Sequence, residues 1–281
     1  MIKKWIDKQS GIIWIILAAI LWSLQGVLGK LNTWNSLYLS GFRAIFAGIT
    51  IGSYRRSFYP SKNKINWLAA MAVAMTGILF LSANNLTTAA NAVVLQYTMP
   101  VFVILLRWFQ TRKKPGKMDV ICCIVMLVGV SLCFVNGLTG GHLKGDVLAI
   151  LSAGTYALVY LSAGTKGCDV LSYSYQGNLI SILLILLPLF DKSFSFSLIN
   201  VLTAAAMGIF VGAGYICFAK GFSKNINSTQ AAIVSYMEPI LNPVWVMLFV
   251  GEKVEGIALI GIVIVLSMAV IYSIYLKKEK T

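Results

Sequence analysis

Charge is scarce in this 281-residue sequence. Asp, Glu, Lys and Arg together make up 11% of it, and acidic residues number only 9. Soluble domains carry about 25% charged residues, so a water-soluble chain of this size would lack the charge to cover its surface. The 58% of hydrophobic residues therefore need lipid as their solvent. Histidine is nearly missing: His142 stands alone, which removes His-paired metal sites and His-based triads. The cysteines, Cys122, Cys123, Cys133, Cys168 and Cys217, are odd in number, lie mostly in apolar runs and lack ligand spacing. Neither a disulfide framework nor a metal site is expected from them, and no cofactor is expected. There is no GxSxG, no aspartyl dyad and no Walker motif. An intramembrane enzyme or an ATP-driven pump would need one of these constellations, so the chain does not read as an enzyme. The connectors are too short for a soluble domain, which argues against a scaffold or sensor.

What the sequence does have is long apolar runs. A spanning helix needs about 20 mostly apolar residues. Ten segments qualify, near 12–31, 33–54, 65–83, 90–109, 118–136, 146–165, 170–190, 198–219, 228–250 and 256–276. They lack the alternation of barrel strands. Lys3, Lys4 and Lys8 before the first run suggest a signal peptide, but no small-x-small cleavage site follows and the run is too long. It reads as the first span.

The net charge of +14 would suggest nucleic acid in a soluble protein. Its placement says otherwise. With the N-terminus in the cytoplasm, the outer connectors hold only Lys30, Lys144, Lys192 and Lys253, and Arg43 falls inside a span. Every other Lys and Arg falls on the inner side. This asymmetry is the positive-inside signal. It predicts both termini in the cytoplasm, a multi-pass protein of the plasma (inner) membrane, and no nucleic-acid partner.

The two halves resemble each other. Tyr97-Thr98-Met99-Pro100 matches Tyr236-Met237-Glu238-Pro239 at an offset of 139, where Ala92 also meets Ala231 and Lys114 meets Lys253. Gly11 and Trp22-Ser23 meet Gly145 and Tyr156-Ala157 at 134, and Tyr38 meets Tyr173 at 135. The collinear order predicts a duplication, with a first five-helix unit over 1–139 and a second over 140–281. Five is odd, so consecutive units insert with opposite orientation. The expected fold is all-α and integral to the membrane, with ten transmembrane helices as two inverted five-helix repeats. Such repeats place a substrate site near the midplane and suit alternating access.

The ordered motifs Trp22-Ser23, Phe42-Arg43, Glu238-Pro239, Gly251-Glu252 and Gly261 resemble the EamA-type branch of the drug/metabolite transporter superfamily over essentially the whole chain. The resemblance implies export of amino acids, related metabolites or drugs. It also implies a central cavity lined by spans 1, 3, 4, 6, 8 and 9. The four-helix small multidrug relatives carry an essential acid in their first span; here that span offers Trp22, Ser23 and Gln25 instead. This departure counts against proton-driven export of cationic drugs by the same device. The reading is a secondary transporter, with an uncoupled facilitator or exchanger, or a drug exporter of the same fold, as alternatives.

Charges inside a membrane are costly and invite a role. Glu238 is a candidate proton-coupling acid, with a structural carboxyl beside Pro239 as the competing reading. Arg43 could hold a carboxylate through its guanidinium fork, or serve as a structural partner of Glu238 or of helix-end carbonyls. Pro100, Pro239 and Pro243 each remove a backbone donor and are candidate gating kinks. Trp22, Gln25, Tyr97, Tyr156, Tyr215 and Tyr236 are candidate substrate-binding residues, with helix packing as the alternative. Asn84 and Asn85 lie near the outer end of the third span. Trp5, Trp34, Trp67 and Trp108, near span ends, fit an interfacial belt. Gly208 and Gly212 form a GxxxG spacing that packs helices closely, inside the bundle or between the protomers of a homodimer. The expected partners are a small-molecule substrate, the lipid bilayer and, for a coupled transporter, protons.

Overall fold

The computed structural model describes residues 2–190, 194, 196–224, 226–250 and 256–278. Among them there is no strand. Twelve α-helices follow one another: α1 (Ile2–Lys30), α2 (Ser36–Arg55), α3 (Lys64–Leu86), α4 (Ala89–Gln96), α5 (Met99–Thr111), α6 (Lys117–Cys133), α7 (Leu143–Ala163), α8 (Val170–Ile182), α9 (Leu198–Ser223), α10 (Ser228–Val234), α11 (Met237–Val250) and α12 (Gly256–Lys278). Short 3-10 segments, Val135–Gly137 and Leu183–Phe190, follow α6 and α8.

Among the described residues, eight stretches are long and apolar enough to cross a membrane. Two of the ten expected segments fall short of that measure. Helix α2 is diluted by Arg43 and by its serines and glycines, and α6 has 17 residues. With helices this long and apolar, the chain is a multi-pass membrane protein. The connector Gly251-Glu252-Lys253-Val254-Glu255 and Lys192 lie outside the described residues.

Two of the expected spans are each broken into two helices, α4 with α5 and α10 with α11, and proline chemistry explains both. Pro100 and Pro239 lack an N–H, and each ring would collide with the carbonyl four residues back. The helices stop at Gln96 and Val234 and restart at Met99 and Met237. Tighter bonds bridge the gaps: Thr98 N to Leu95 O at 3.2 Å, Tyr236 N to Ile233 O at 3.2 Å and Glu238 N to Ser235 O at 2.9 Å. Pro100 and Pro239 thus begin new helices rather than bend continuous ones, whereas Pro243 sits inside α11. Helix α8 passes at Leu183 into the 3-10 segment that contains Pro188.

The main helix pairs are α1 with α9, α2 with α9, α3 with α7, α3 with α8, and α6 with α12. Small residues set their spacing. A Cβ on Gly208 would lie 2.3 Å from the Arg43 carbonyl oxygen, and one on Gly212 would lie 2.7 Å from Thr50 Cβ. This GxxxG face therefore packs against α2 within the bundle, where glycine permits close backbone approach.

Candidate functional site

A cavity of about 790 Å³ enters the bundle from the end that carries Lys30, Asn32 and Asn136, opposite the chain's N-terminus. A smaller chamber of about 180 Å³ adjoins it. Trp22, Gln25, Arg43, Gln96 and Glu238 line both. Tyr97 and Pro243 face the larger cavity, and Tyr156 and Tyr215 face the smaller. Tyr236 faces neither. Its side chain is fully buried, with its hydroxyl 3.6 Å from Cys123 Sγ and its ring 6.4 Å from that of Tyr97. Pro100 is buried at the start of α5, and neither it nor Pro239 reaches the cavity. Asn84 stands at the cavity wall, its amide donating to Phe80 O at 3.1 Å.

The helix breaks deliver the chemistry. By restarting the helix at Met237, the chain brings Glu238 into the first turn of α11. Its carboxyl accepts hydrogen bonds from the Tyr97 and Tyr156 hydroxyls, which come from the other broken span and from α7. Its Oε2 is buried without a partner. Across the cavity, Arg43 Nη1 donates to Gln25 Oε1 at 3.0 Å, and Gln25 Nε2 donates to Met207 O at 3.1 Å. This fixes the amide orientation and aims the guanidinium. Among the described residues no salt bridge joins Arg43 to Glu238.

A second span was not expected at the cavity, yet α2 supplies Arg43, Leu39 and Ser36 to its wall. Helix α2 is wedged against α8 and α9, so an inward-facing residue on it reaches the interior. Trp34 also departs from the interfacial reading. It is buried, its ring 4.5 Å from Phe42 and 5.4 Å from Phe194, and it walls the cavity. Trp67 and Trp108 are exposed, as a lipid-facing belt requires. Asn242, which the motif reading passed over, lines the cavity one turn beyond Glu238 with its Oδ1 buried and unpartnered. The signal was there: an amide at i+4 from a glutamate inside an apolar run.

Aromatic rings close the opposite end. The Trp22 ring lies 5.2 Å from Tyr215 and 5.5 Å from Phe218, in an edge-on and a tilted contact. Phe218 lies 4.9 Å from both Tyr160 and Phe222. Tyr160 shares hydrogen bonds with Ser235 and with Tyr156. The plug therefore ties α1, α7 and α9 to the α10–α11 break, beneath a cavity that is open above.

The EamA-like transporter family model matches residues 9–135 and again 143–274. This chain belongs to that family. A relative, an uncharacterized transporter of Clostridium kluyveri, is 27% identical over 94% of this chain and 93% of its own length. The uncharacterized inner membrane transporter YicL of Salmonella typhimurium is 23% identical over 95% and 96% of the two chains. YwfM of Bacillus subtilis, also an uncharacterized transporter, is 24% identical over 96% and 95%. A crystal structure with 16% sequence identity superposes with a TM-score of 0.84, covering 97% of this chain and 99% of the other, so it shares the fold. The EamA-like chain is thus a membrane transporter by family.

Proposed function

We propose that this EamA-like chain is a secondary transporter that exports amino acids or related small metabolites across the inner membrane by alternating access. The observation that carries the reading is a mainly apolar cavity with Arg43 and Glu238 in its wall, open at one end and faced at the other by the Trp22–Phe218 aromatic plug. Its ten spans form two inverted five-helix repeats, 1–139 and 140–281, with both termini in the cytoplasm. Several facts support this. The family model matches twice in tandem. The paired breaks begin at N-caps 139 residues apart, Thr88 and Asn227. Helix α1 packs on α9 as α3 packs on α7, the pattern that exchanging the two halves would leave unchanged. If the halves trade conformations, the plug opens and the present mouth closes.

Glu238 carries proton coupling in this reading, and Tyr97 and Tyr156 set its hydrogen bonding. The rival is an uncoupled facilitator or exchanger of the same fold. Counterflow in proteoliposomes with labelled amino acids and metabolites tests the first point. Accumulation of one class by the wild type, lost in Tyr97→Ala, is the expected result. A panel that gives no accumulation overturns the amino-acid reading. An imposed pH gradient tests coupling: it should drive the wild type and not Glu238→Gln.

A further inference from the structure

We infer that the lipid-facing side of α9 binds the phosphate of an anionic phospholipid, held by Lys220 between Trp14 of α1 and Tyr54 of α2. The site lies outside the cavity and does not depend on the transport reading; it needs only that the chain sits in a bilayer.

Helix geometry places Lys220 on the lipid side. Leu202 and Ile209 of α9 are exposed apolar residues. Leu202 stands eighteen residues before Lys220 and Ile209 eleven, about five and three turns at 3.6 residues per turn. The three therefore share one face, and its exposed apolar members make it the face that lipid covers. Phe218 points the other way, into the aromatic plug. Helices α1 and α2 each pack along α9 and flank that face. Half-buried Ala213 and Ile216 carry it on toward Lys220, a track along which an acyl chain can lie. Lys220 comes just before the end of α9 at Ser223, where Gly221 packs on Gly11 of α1. Its long stem can thus stay in the apolar zone while the ammonium reaches the headgroups.

The chemistry at that level calls for an anion. Lys220 Nζ lies 4.3 Å from the centre of the Trp14 ring and 5.4 Å from that of Tyr54. Ring faces attract a cation but leave its N–H groups without a strong acceptor. Among the described residues, neither the ammonium, the Trp14 indole N–H nor the Tyr54 hydroxyl has a hydrogen-bond partner. Three donor groups gathered at one point suit the several oxygens of a phosphate. Arg55, Arg56 and Lys224 stand at the same end of the bundle, so a headgroup with its own ammonium is repelled and a net anionic one is favoured. A soluble anion would match the charge and leave the apolar track bare.

The purified full-length protein in detergent is titrated with dioleoylphosphatidylglycerol, and the saturable rise in its unfolding temperature gives an apparent Kd. Dioleoylphosphatidylcholine should bind about tenfold or more weakly, and inorganic phosphate should give no shift. Lys220→Gln should weaken the phosphatidylglycerol Kd by about tenfold, the loss of one charge-assisted contact. Lys220→Arg keeps the charge and should stay close to wild type. Lys166→Gln removes an exposed cation from the same end, outside the site, and should change nothing. The inference is overturned if phosphatidylcholine binds as tightly as phosphatidylglycerol. It is also overturned if phosphate alone reproduces the shift, which would mark a soluble-anion site. Equal losses in Lys166→Gln and Lys220→Gln would show diffuse surface charge instead of a site. The lipid selectivity of the wild type decides the matter even where Lys220→Gln does not fold.

Discussion

At the first helix break, Tyr97 and Thr98 lead into Met99, which is fully buried. At the second, 139 residues on, Tyr236 and Met237 lead into Glu238, which faces the cavity. The backbones are alike. Each has a short helix, a tight turn bridged by i−3 bonds, and a proline at the start of the next helix. The tyrosines nevertheless part company. Tyr97 turns to the cavity and donates to Glu238, while Tyr236 turns to Cys123 in the core. The shared backbone serves the fold, and the carboxyl is carried by the second break alone, with Gln96 and Tyr97 of the first break beside the same cavity. In the proposed alternating-access cycle, two similar halves switch while one carboxyl serves the cargo.

The most severe way to break this comparison is to exchange the two residues' chemistry. Glu238→Gln should abolish the response of transport to an imposed pH gradient while the protein still folds, since glutamine retains the acceptor for the tyrosine hydroxyls. Met99→Gln should do the reverse. It buries an amide without partners, at a cost of about 1–3 kcal/mol, and lowers the thermal unfolding temperature in detergent. The protein that does fold should keep its coupling. Loss of coupling in Met99→Gln with unchanged stability would show that both breaks carry function.

The next effect is on stability, and it compares tight helix contacts with loose ones. Gly208→Ala puts a methyl 2.3 Å from a backbone oxygen of α2, which cannot swing away as a side-chain tip could. Overpacking of this kind costs about 1–3 kcal/mol. Gly154 on α7 has nothing within 4 Å of an added Cβ. There alanine should be neutral or raise helix stability by up to about 1 kcal/mol. Thermal unfolding of the two variants side by side checks the contrast, and equal shifts would refute the α2–α9 contact.

Much of this architecture was legible in the sequence, for identifiable reasons. Membrane character follows from apolar runs and the lack of charge, which no packing detail can reverse. Pro100 and Pro239 announced the interruptions, because a missing N–H acts locally. Sequence could not say whether they bend a helix or restart one; the turn bonds around Thr98 and Ser235 decide that. The site was legible in part. Trp22, Gln25, Arg43, Tyr97, Tyr156, Tyr215 and Glu238 stand around the two chambers. Tyr236 does not, because repeat position sets the backbone address but neighbours set which way the ring points, and α10 packs against α6 at Cys123. Asn242 was hidden beside Pro243, where an amide reads as part of a kink. Its place in the cavity wall depends on a contact between helices distant in sequence: a Cβ on Gly26 would fall 2.1 Å from its Oδ1.

The finest test of the asymmetry removes one oxygen atom from each tyrosine. Tyr97→Phe deletes a hydroxyl that donates to the Glu238 carboxyl. Hydrogen bonds to charged groups contribute about 1.5–3 kcal/mol, so counterflow should slow by about tenfold. Tyr236→Phe deletes only a long contact with a thiol, 3.6 Å from oxygen to sulfur. Thiols are weak donors and acceptors, so the rate should stay within about twofold, with at most a slight loss of stability. Both variants keep the ring and hence the packing, so neither outcome can be blamed on a cavity. If Tyr236→Phe slows transport as much as Tyr97→Phe, the buried tyrosine must exchange places with its counterpart during the cycle. Both breaks would then belong to the working site, each in its turn.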